Sequence, residues 1–543
     1  MLTRRTLLAA SGPAASGLAA TGLAATGLAT TGAGLALPSV ARAAGTGVMK
    51  FIPQSDLTVL DPAWTTAYVT RNHALMVFDT LYGIDAVYAA QPQMVAGHVV
   101  EQDGRQWRMT LRPGLRFHDG TPVLARDCVA SIQRWSRRDA VGQTVAAYTD
   151  ELSAPDDRTI LFRLRRPLAL LPDMLGKVGS SLCAIMPERL ARTDPFTQVT
   201  EMVGSGPFRF KADERMVGSR VVYERFDGYV PREGGAPQWT SGPKRVALDR
   251  VEWHPIPDLA TAAAAMQSRE MDWWEAVSAD VMPLLTRMRS QIADPTGYIG
   301  ALRMNTLQPP FDNPAIRRVL LQVVDQVDYM QAVTGDDPKL RHTPTGFFCP
   351  GLPMATETGL EVLTRPRDFT AAKKALAEAG YKGEKVVLMG ASDLPNLKAL
   401  GDVSADLLAR AGFNVEYQVL DWGTVVQRRT RKEPVSQGGW SVFGTFWAGL
   451  DQATPAAHAF LRSPGESGTF GWPRSEALEA LRQQWLDAPD LPAQRALAAQ
   501  IQQQALTDVP YVPLGQYFVA TAFQNNVSGV LDGPPLFWNV SKG

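Results

Sequence analysis

Between residues 246 and 446 the sequence alternates short apolar strand patterns with amphipathic helical ones, and few folds accommodate that rhythm. Strand patterns fall at 246–254, 271–277, 385–389, 414–420 and 440–446. Helical patterns fall between them at 258–269, 280–289, 312–333, 369–380 and 396–411, with a further one opening at Thr424. Such alternation predicts an α/β lobe, a sheet with parallel strands covered by helices. Local signals agree: Asp258 is placed to cap its helix, and Gly380 and Gly412 to stop theirs.

The preceding third reads differently. The strand at 49–53 is followed by hairpin patterning: 106–111 alternates, with turns at Arg112-Pro113-Gly114, His118-Asp119-Gly120 and Pro155-Asp156-Asp157. One helix, 125–137, and a strand at 159–164 complete a β-rich segment spanning roughly 86–199. After a helix at 492–506, the Pro-flanked run Val509-Pro510-Tyr511-Val512-Pro513-Leu514 leads into a strand through Phe523, which suggests a return to the first lobe. A chain of 543 residues exceeds what one core normally holds. Two lobes crossed more than once by the chain make a hinged clamp, an architecture suited to capturing a ligand by closure.

Composition narrows the function. Hydrophobic residues at 45% and charged ones at 20% are those of a folded globular protein, and balanced charge without a basic block argues against nucleic acid as a partner. Residues 1–43 read as an export signal, because Thr3-Arg4-Arg5-Thr6-Leu7-Leu8 resembles a twin-arginine motif and Ala41-Arg42-Ala43 a cleavage site. The product is expected to be periplasmic and monomeric, since no later apolar run is long enough to span a bilayer and no Cys near the cleavage point offers a lipid anchor. Cys128, Cys183 and Cys349 lack metal spacing. Three buried thiols are the expected state, although an oxidising compartment would allow Cys128 and Cys183 to pair. The sequence has no HExxH, GxSxG, P-loop or GxGxxG, and its six His are scattered, so neither enzyme, metal site nor cofactor is expected.

Several ordered segments resemble one family. They are Leu60-Asp61-Pro62, Phe78-Asp79-Thr80-Leu81-Tyr82, the run from Leu111 to Pro122, Gly204-Ser205-Gly206-Pro207-Phe208, and Met304-Asn305-Thr306. Phe311-Asp312-Asn313-Pro314, Ala377-Glu378-Ala379-Gly380-Tyr381 and Pro510-Tyr511-Val512-Pro513-Leu514 follow in the same order. On these residues the chain is identified as a member of family 5 of the extracellular solute-binding proteins, the dipeptide, oligopeptide and nickel group of ABC transporters. The resemblance implies a periplasmic-binding-protein-like two-lobed α/β clamp with an extra β-rich subdomain inserted in lobe I. It assigns lobe I to 44–85, 200–265 and 501–543, the insertion to 86–199, and lobe II to 266–500. It also implies a peptide or other small-molecule ligand between the lobes and peripheral docking on the permease subunits of an ABC importer.

In peptide-binding members, Gly-Trp-x-x-Asp sets a carboxylate against the ligand's ammonium. Here the segment is Gly439-Trp440-Ser441-Val442-Phe443, so Phe443 stands in the place of the acid, and the next acid is Asp451. Loss of that acid keeps an opine, an oligosaccharide or a metal chelate open beside a peptide. Trp422, Trp440 and Trp447 supply aromatic surface with little rotamer entropy. Arg429 is a candidate fork for a ligand carboxylate, and Tyr68 and Asn72, after the opening motif, are further pocket candidates.

Overall fold

The computed structural model describes residues 47–543; the export segment at 1–43, with Arg4 and Arg5, lies outside the described residues. Two mixed sheets dominate. The first has seven strands in the order Arg289–Ile292, Ala520–Phe523, Trp273–Val277, Val48–Ile52, Arg250–Trp253, Val221–Arg225 and Phe208–Phe210. Its centre is parallel: Val48–Ile52 lies between Arg250–Trp253 and Trp273–Val277. A parallel centre is covered on both faces: Met49 and Phe51 are fully buried on one face of this short strand and Ile52 on the other. Phe51 meets the rings of Trp253, Trp273 and Phe537 at centroid distances of 5.6, 5.2 and 5.0 Å.

The second sheet has six strands in the order Arg341–His342, Val512–Tyr517, Tyr298–Met304, Val442–Ala448, Lys385–Ala391 and Asn414–Leu420. Lys385–Ala391 is parallel to both neighbours, the arrangement that the helical crossovers at Pro395–Ala411 and Trp422–Arg428 require. The β-rich insertion is a four-stranded antiparallel sheet, Val95–Glu101, Gln106–Leu111, Thr159–Leu164 and Thr149–Ser153, with Ile132 and Trp135 of the helix Ala125–Arg138 in its core.

The chain changes sheets through 293–297 and again through 518–519. At the first change Asp294 Oδ1 accepts hydrogen bonds from the Thr296 amide and hydroxyl, at 2.8 and 2.7 Å. Gly297 adopts φ +58°, and a Cβ there would lie 2.6 Å from the Tyr517 carbonyl oxygen, so the two passages touch where only glycine fits.

Several expectations need correction. The helix expected at 280–289 is a 3-10 turn, Met282–Leu285, followed by the edge strand Arg289–Ile292. Pro283 withholds a backbone donor, and pairing with Ala520–Phe523 satisfies the following residues as strand. The helix expected over 312–333 breaks at extended Val324 into Pro314–Val323 and Gln326–Thr334, the second capped by Asp325. The strand expected to run through Phe523 is two strands in different sheets. The lobe limits expected at 266 and 500 do not coincide with the changeovers: Trp273–Val277 and Arg289–Ile292 belong to the first sheet and Val512–Tyr517 to the second. The three cysteines, by contrast, are buried free thiols as expected.

The acids of the opening motifs are scaffold groups. Asp61, fully buried, pairs with Arg134 of the insertion and accepts the Val199 amide. Asp79 pairs with buried Lys244 at 2.7 Å and accepts the Tyr229 hydroxyl. Arg134→Met leaves a buried carboxylate without its cation and is expected to cost about 3–5 kcal/mol of stability, read as a lowered urea midpoint; an unchanged midpoint would show that this pair does not tie the insertion to the lobe.

Candidate functional site

A cavity of about 430 Å³ lies between the two sheets. The parallel strands of both deliver residues to it from their C-terminal ends, where ligands of open α/β sheets bind. Val48–Ile52 runs into Gln54 and Asp56, Trp273–Val277 supplies Trp274 and leads to Ala279, Lys385–Ala391 leads to Asn396, and Asn414–Leu420 leads to Trp422. Thr445, Phe446 and Trp447 line it from Val442–Ala448, and Tyr517 and Phe518 from the second changeover.

Four of the nine expected site residues line this cavity: Tyr68, Trp422, Arg429 and Trp447. Arg429 follows the helix Trp422–Arg428 and is only 8% exposed. Its guanidinium lies over the Phe470 ring at 4.1 Å and the Trp422 ring at 5.3 Å. Among the described residues no carboxylate pairs with it, its Nε is buried without an acceptor, and burial lowers its pKa to about 10. A cation held in this way between rings is favourable only in part, because its hydrogen-bonding capacity stays unmet.

The other five are placed elsewhere. Trp440 is fully buried behind the cavity wall, donating its indole N–H to the Arg431 carbonyl at 3.1 Å. Phe443 packs in the same aromatic cluster, 5.1 Å from Trp440 and 5.9 Å from Phe470, and so supports the ring beneath Arg429. The Ser441 hydroxyl accepts the Val387 amide and joins two strands of the second sheet. Asn72 is buried, donating to Glu275 at 2.7 Å and accepting from Arg71. Glu275 also accepts the Gln54 amide, so this network carries the Gln54 loop without facing the cavity. Asp451 lines a second, smaller cavity of about 220 Å³ with Lys177, Arg138 and Arg462. Thr66 and Trp447 border both cavities.

Sequence reasoning missed Asp56, Thr445, Asn396 and Tyr517 as lining residues. The usable signal was topological: Asp56 and Asn396 follow the C-terminal ends of parallel strands.

A protein-family model, "Bacterial extracellular solute-binding proteins, family 5 Middle", matches residues 89–468. The chain belongs to this family. This solute-binding protein is 36% identical over 519 residues to a probable peptide ABC transporter periplasmic-binding protein of Sinorhizobium fredii, covering 94% of this chain and 97% of that one. Its fold matches a periplasmic binding protein of A. tumefacien R10 in complex with agropinic acid, with TM-score 0.77 at 19% identity, over 92% of this chain and 99% of that one. It also matches a dipeptide binding protein of Pseudoalteromonas sp. SM9913 in complex with Met-Leu, with TM-score 0.74 at 20% identity, over 92% and 100%. Among the described residues no helix is long and apolar enough to cross a membrane, and no group of three His, Cys, Asp or Glu could hold a metal ion.

The two lobes of the solute-binding protein meet beside the cavity. The Tyr68 hydroxyl, on the first-lobe helix Tyr68–Val77, donates to Asp451 Oδ2 at 2.9 Å and accepts the Ala448 amide at 2.5 Å. Asp451 also accepts the Ser180 amide at 3.2 Å, and a Cβ on Gly179 would lie 1.9 Å from its Oδ1. The insertion adds contacts of its own: Tyr148 and Arg166 bond to Asp487, and Arg462 bonds to Gln143. These contacts join the two lobes beside the cavity.

Burial raises the pKa of Asp451 above the usual carboxylate range. The folded chain therefore binds a proton there more tightly than the unfolded chain, so this group's contribution to stability grows as pH falls through the raised pKa toward the ordinary value. The thermal midpoint of the native chain, compared with that of Asp451→Asn, is expected to gain as pH falls from neutral toward the ordinary carboxylate range, about pH 4. A difference that does not change with pH contradicts the assignment.

Proposed function

We propose that this protein captures a small organic ligand, peptide-like and carrying a carboxylate, and delivers it to the permease subunits of an ABC importer. Arg429 carries the reading. A buried guanidinium without a protein acceptor at a cavity wall is completed by a ligand anion, and its planar fork suits a carboxylate. Trp422, Trp447 and Tyr68 supply the aromatic walls that hold the rest of the ligand while tolerating varied shapes. Trp440, Phe443 and Ser441 act behind them, and Asp451 acts in closure. The similarity to a probable peptide ABC transporter periplasmic-binding protein supports the peptide-like class.

A second reading keeps the same clamp and carboxylate but exchanges the peptide for an opine. It rests on Phe443 packing in an apolar cluster where the family motif has an acid, and on the fold likeness to a protein bound to agropinic acid. In both readings the chain works as a monomer in the periplasm, exported through the twin-arginine-like segment at 1–43, and meets the membrane only through its transporter. Its role is transport, not catalysis.

The test is a thermal-shift screen of the chain from Ala44 onward against dipeptides, opines, oligosaccharides and metal chelates. A ligand at a hundred times its dissociation constant is expected to add about 2.7 kcal/mol to stability. Arg429→Gln is expected to weaken a carboxylate ligand by about 2–5 kcal/mol, with the stability of the unliganded variant measured alongside so that lost binding is separated from lost folding. Tight binding that ignores this substitution would remove Arg429 from the site.

A further inference from the structure

We propose that the smaller cavity, between the insertion and the second lobe, binds a small oxyanion, a phosphate or a carboxylate. This site differs from the one given to the ligand above, and its chemistry does not depend on which ligand the larger cavity holds.

Two arginines line this cavity of about 220 Å³, Arg138 at the end of the insertion helix Ala125–Arg138 and Arg462 on the second lobe. Both are anchored by neutral acceptors. Arg138 bonds through Nε and Nη2 to the Ala63 and Trp64 carbonyls at 3.5 and 3.2 Å. Arg462 bonds through Nη1 to the Gln143 side chain at 2.9 Å and the Ala140 carbonyl at 3.4 Å. Neither pairs with a carboxylate among the described residues, and Asp61, whose charge acts on Arg138, is taken by Arg134. Arg138 Nη1 and Arg462 Nε and Nη2 are thus left without an acceptor, and none of the three is sealed from solvent. Ser180, 2% exposed, lines the same cavity with a hydroxyl that is also unpartnered and unsealed, and Thr469 adds a free hydroxyl from the second lobe.

The acids at this cavity are already engaged. Asp139 gives Oδ1 to the Val141 and Gly142 amides, capping the helix Ala140–Tyr148, and Oδ2 to Lys177 Nζ at 2.6 Å. Asp451 accepts the Tyr68 hydroxyl and the Ser180 amide. What remains to be satisfied is therefore donors, guanidinium edges and hydroxyls. An oxyanion satisfies them with charge-assisted hydrogen bonds, and its charge offsets two cations that share one small space. With Arg138 and Ser180 on the insertion and Arg462 and Thr469 on the second lobe, the anion joins the two. Thr66 and Trp447 border both cavities, so the oxyanion has two possible sources: free solution, or the acidic side chain of a ligand lying in the larger cavity.

The experiment is calorimetric titration, in a chloride buffer free of oxyanions, with three probes: inorganic phosphate and the dipeptides alanyl-glutamate and alanyl-glutamine. They are titrated into the native chain, Arg138→Gln and Arg462→Gln, each checked for a native circular dichroism spectrum. A free oxyanion is expected to show as saturable phosphate binding that weakens about tenfold or more in each variant. A ligand-borne one is expected to show as a preference of about tenfold or more for alanyl-glutamate over its neutral isostere. Both variants are expected to lose that preference while binding alanyl-glutamine as the native chain does. Either result supports the site and identifies its source. If neither the phosphate affinity nor the glutamate preference exists, or if whichever exists survives either substitution, the inference is overturned. Should Arg138→Gln not fold, Arg462→Gln, whose side chain is half-buried and bonds only to Gln143 and Ala140, decides the matter alone.

Discussion

The Tyr68 hydroxyl ties the two lobes together beside the cavity. By donating to Asp451 and accepting from the Ala448 amide, it satisfies two buried polar groups of the second lobe with one atom of the first. Both groups need a partner in this position, so separating the lobes requires that water replace it. The close fit of Asp451 against Gly179 and Ser180 makes the contact specific in distance as well as chemistry. The contacts of Tyr148, Arg166 and Arg462 add to it, and the two passages near Gly297 and Phe518 carry the chain between the sheets. Closure brings the cavity walls together, and a ligand shifts that equilibrium only by the free energy it gains in the closed state over the open one.

The sequence divides its labour accordingly. Residues of the family-like motifs build the frame: Asp61 with Arg134, Asp79 with Lys244, and Asn305 with the Trp440 carbonyl. His118, in the motif Phe117-His118-Asp119-Gly120, bonds the Gly206 carbonyl through Nε2 and the Gly204 amide through Nδ1. Burial lowers its pKa to about 4, which keeps it a neutral joint between two turns. The cavity-lining residues Trp422, Arg429 and Trp447, to which the proposed function gives the ligand, lie outside those motifs.

The frame was legible because its signals are local. Capping at Asp258, termination at Gly412 and the apolar run of Lys385–Ala391 all register within a few residues. Pairing choices are not local. The stretch from Val512 to Phe523 reads as one apolar strand, yet it serves two sheets, and the switch at 518–519 depends on partners more than two hundred residues away. For the same reason 280–289 looked helical, although Arg289–Ile292 pairs with the C-terminal strand. At the site, the motif around Trp440 pointed to the correct strand but the wrong face of the wall. Trp440 and Phe443 lie behind it, and Thr445, Phe446 and Trp447, further along, reach the cavity. Arg429 was legible as a cation after Trp422, but that its Nε has no acceptor among the described residues became visible only in three dimensions.

The most direct measurement is a crystal structure of the chain from Ala44 onward with the tightest ligand from the screen. The account predicts a ligand carboxylate about 2.7–2.9 Å from the Arg429 guanidinium, inside the cavity bordered by Trp422 and Trp447, with the Tyr68–Asp451 contact intact. A ligand held elsewhere, or Arg429 turned to a protein carboxylate with the ligand bound, would contradict it.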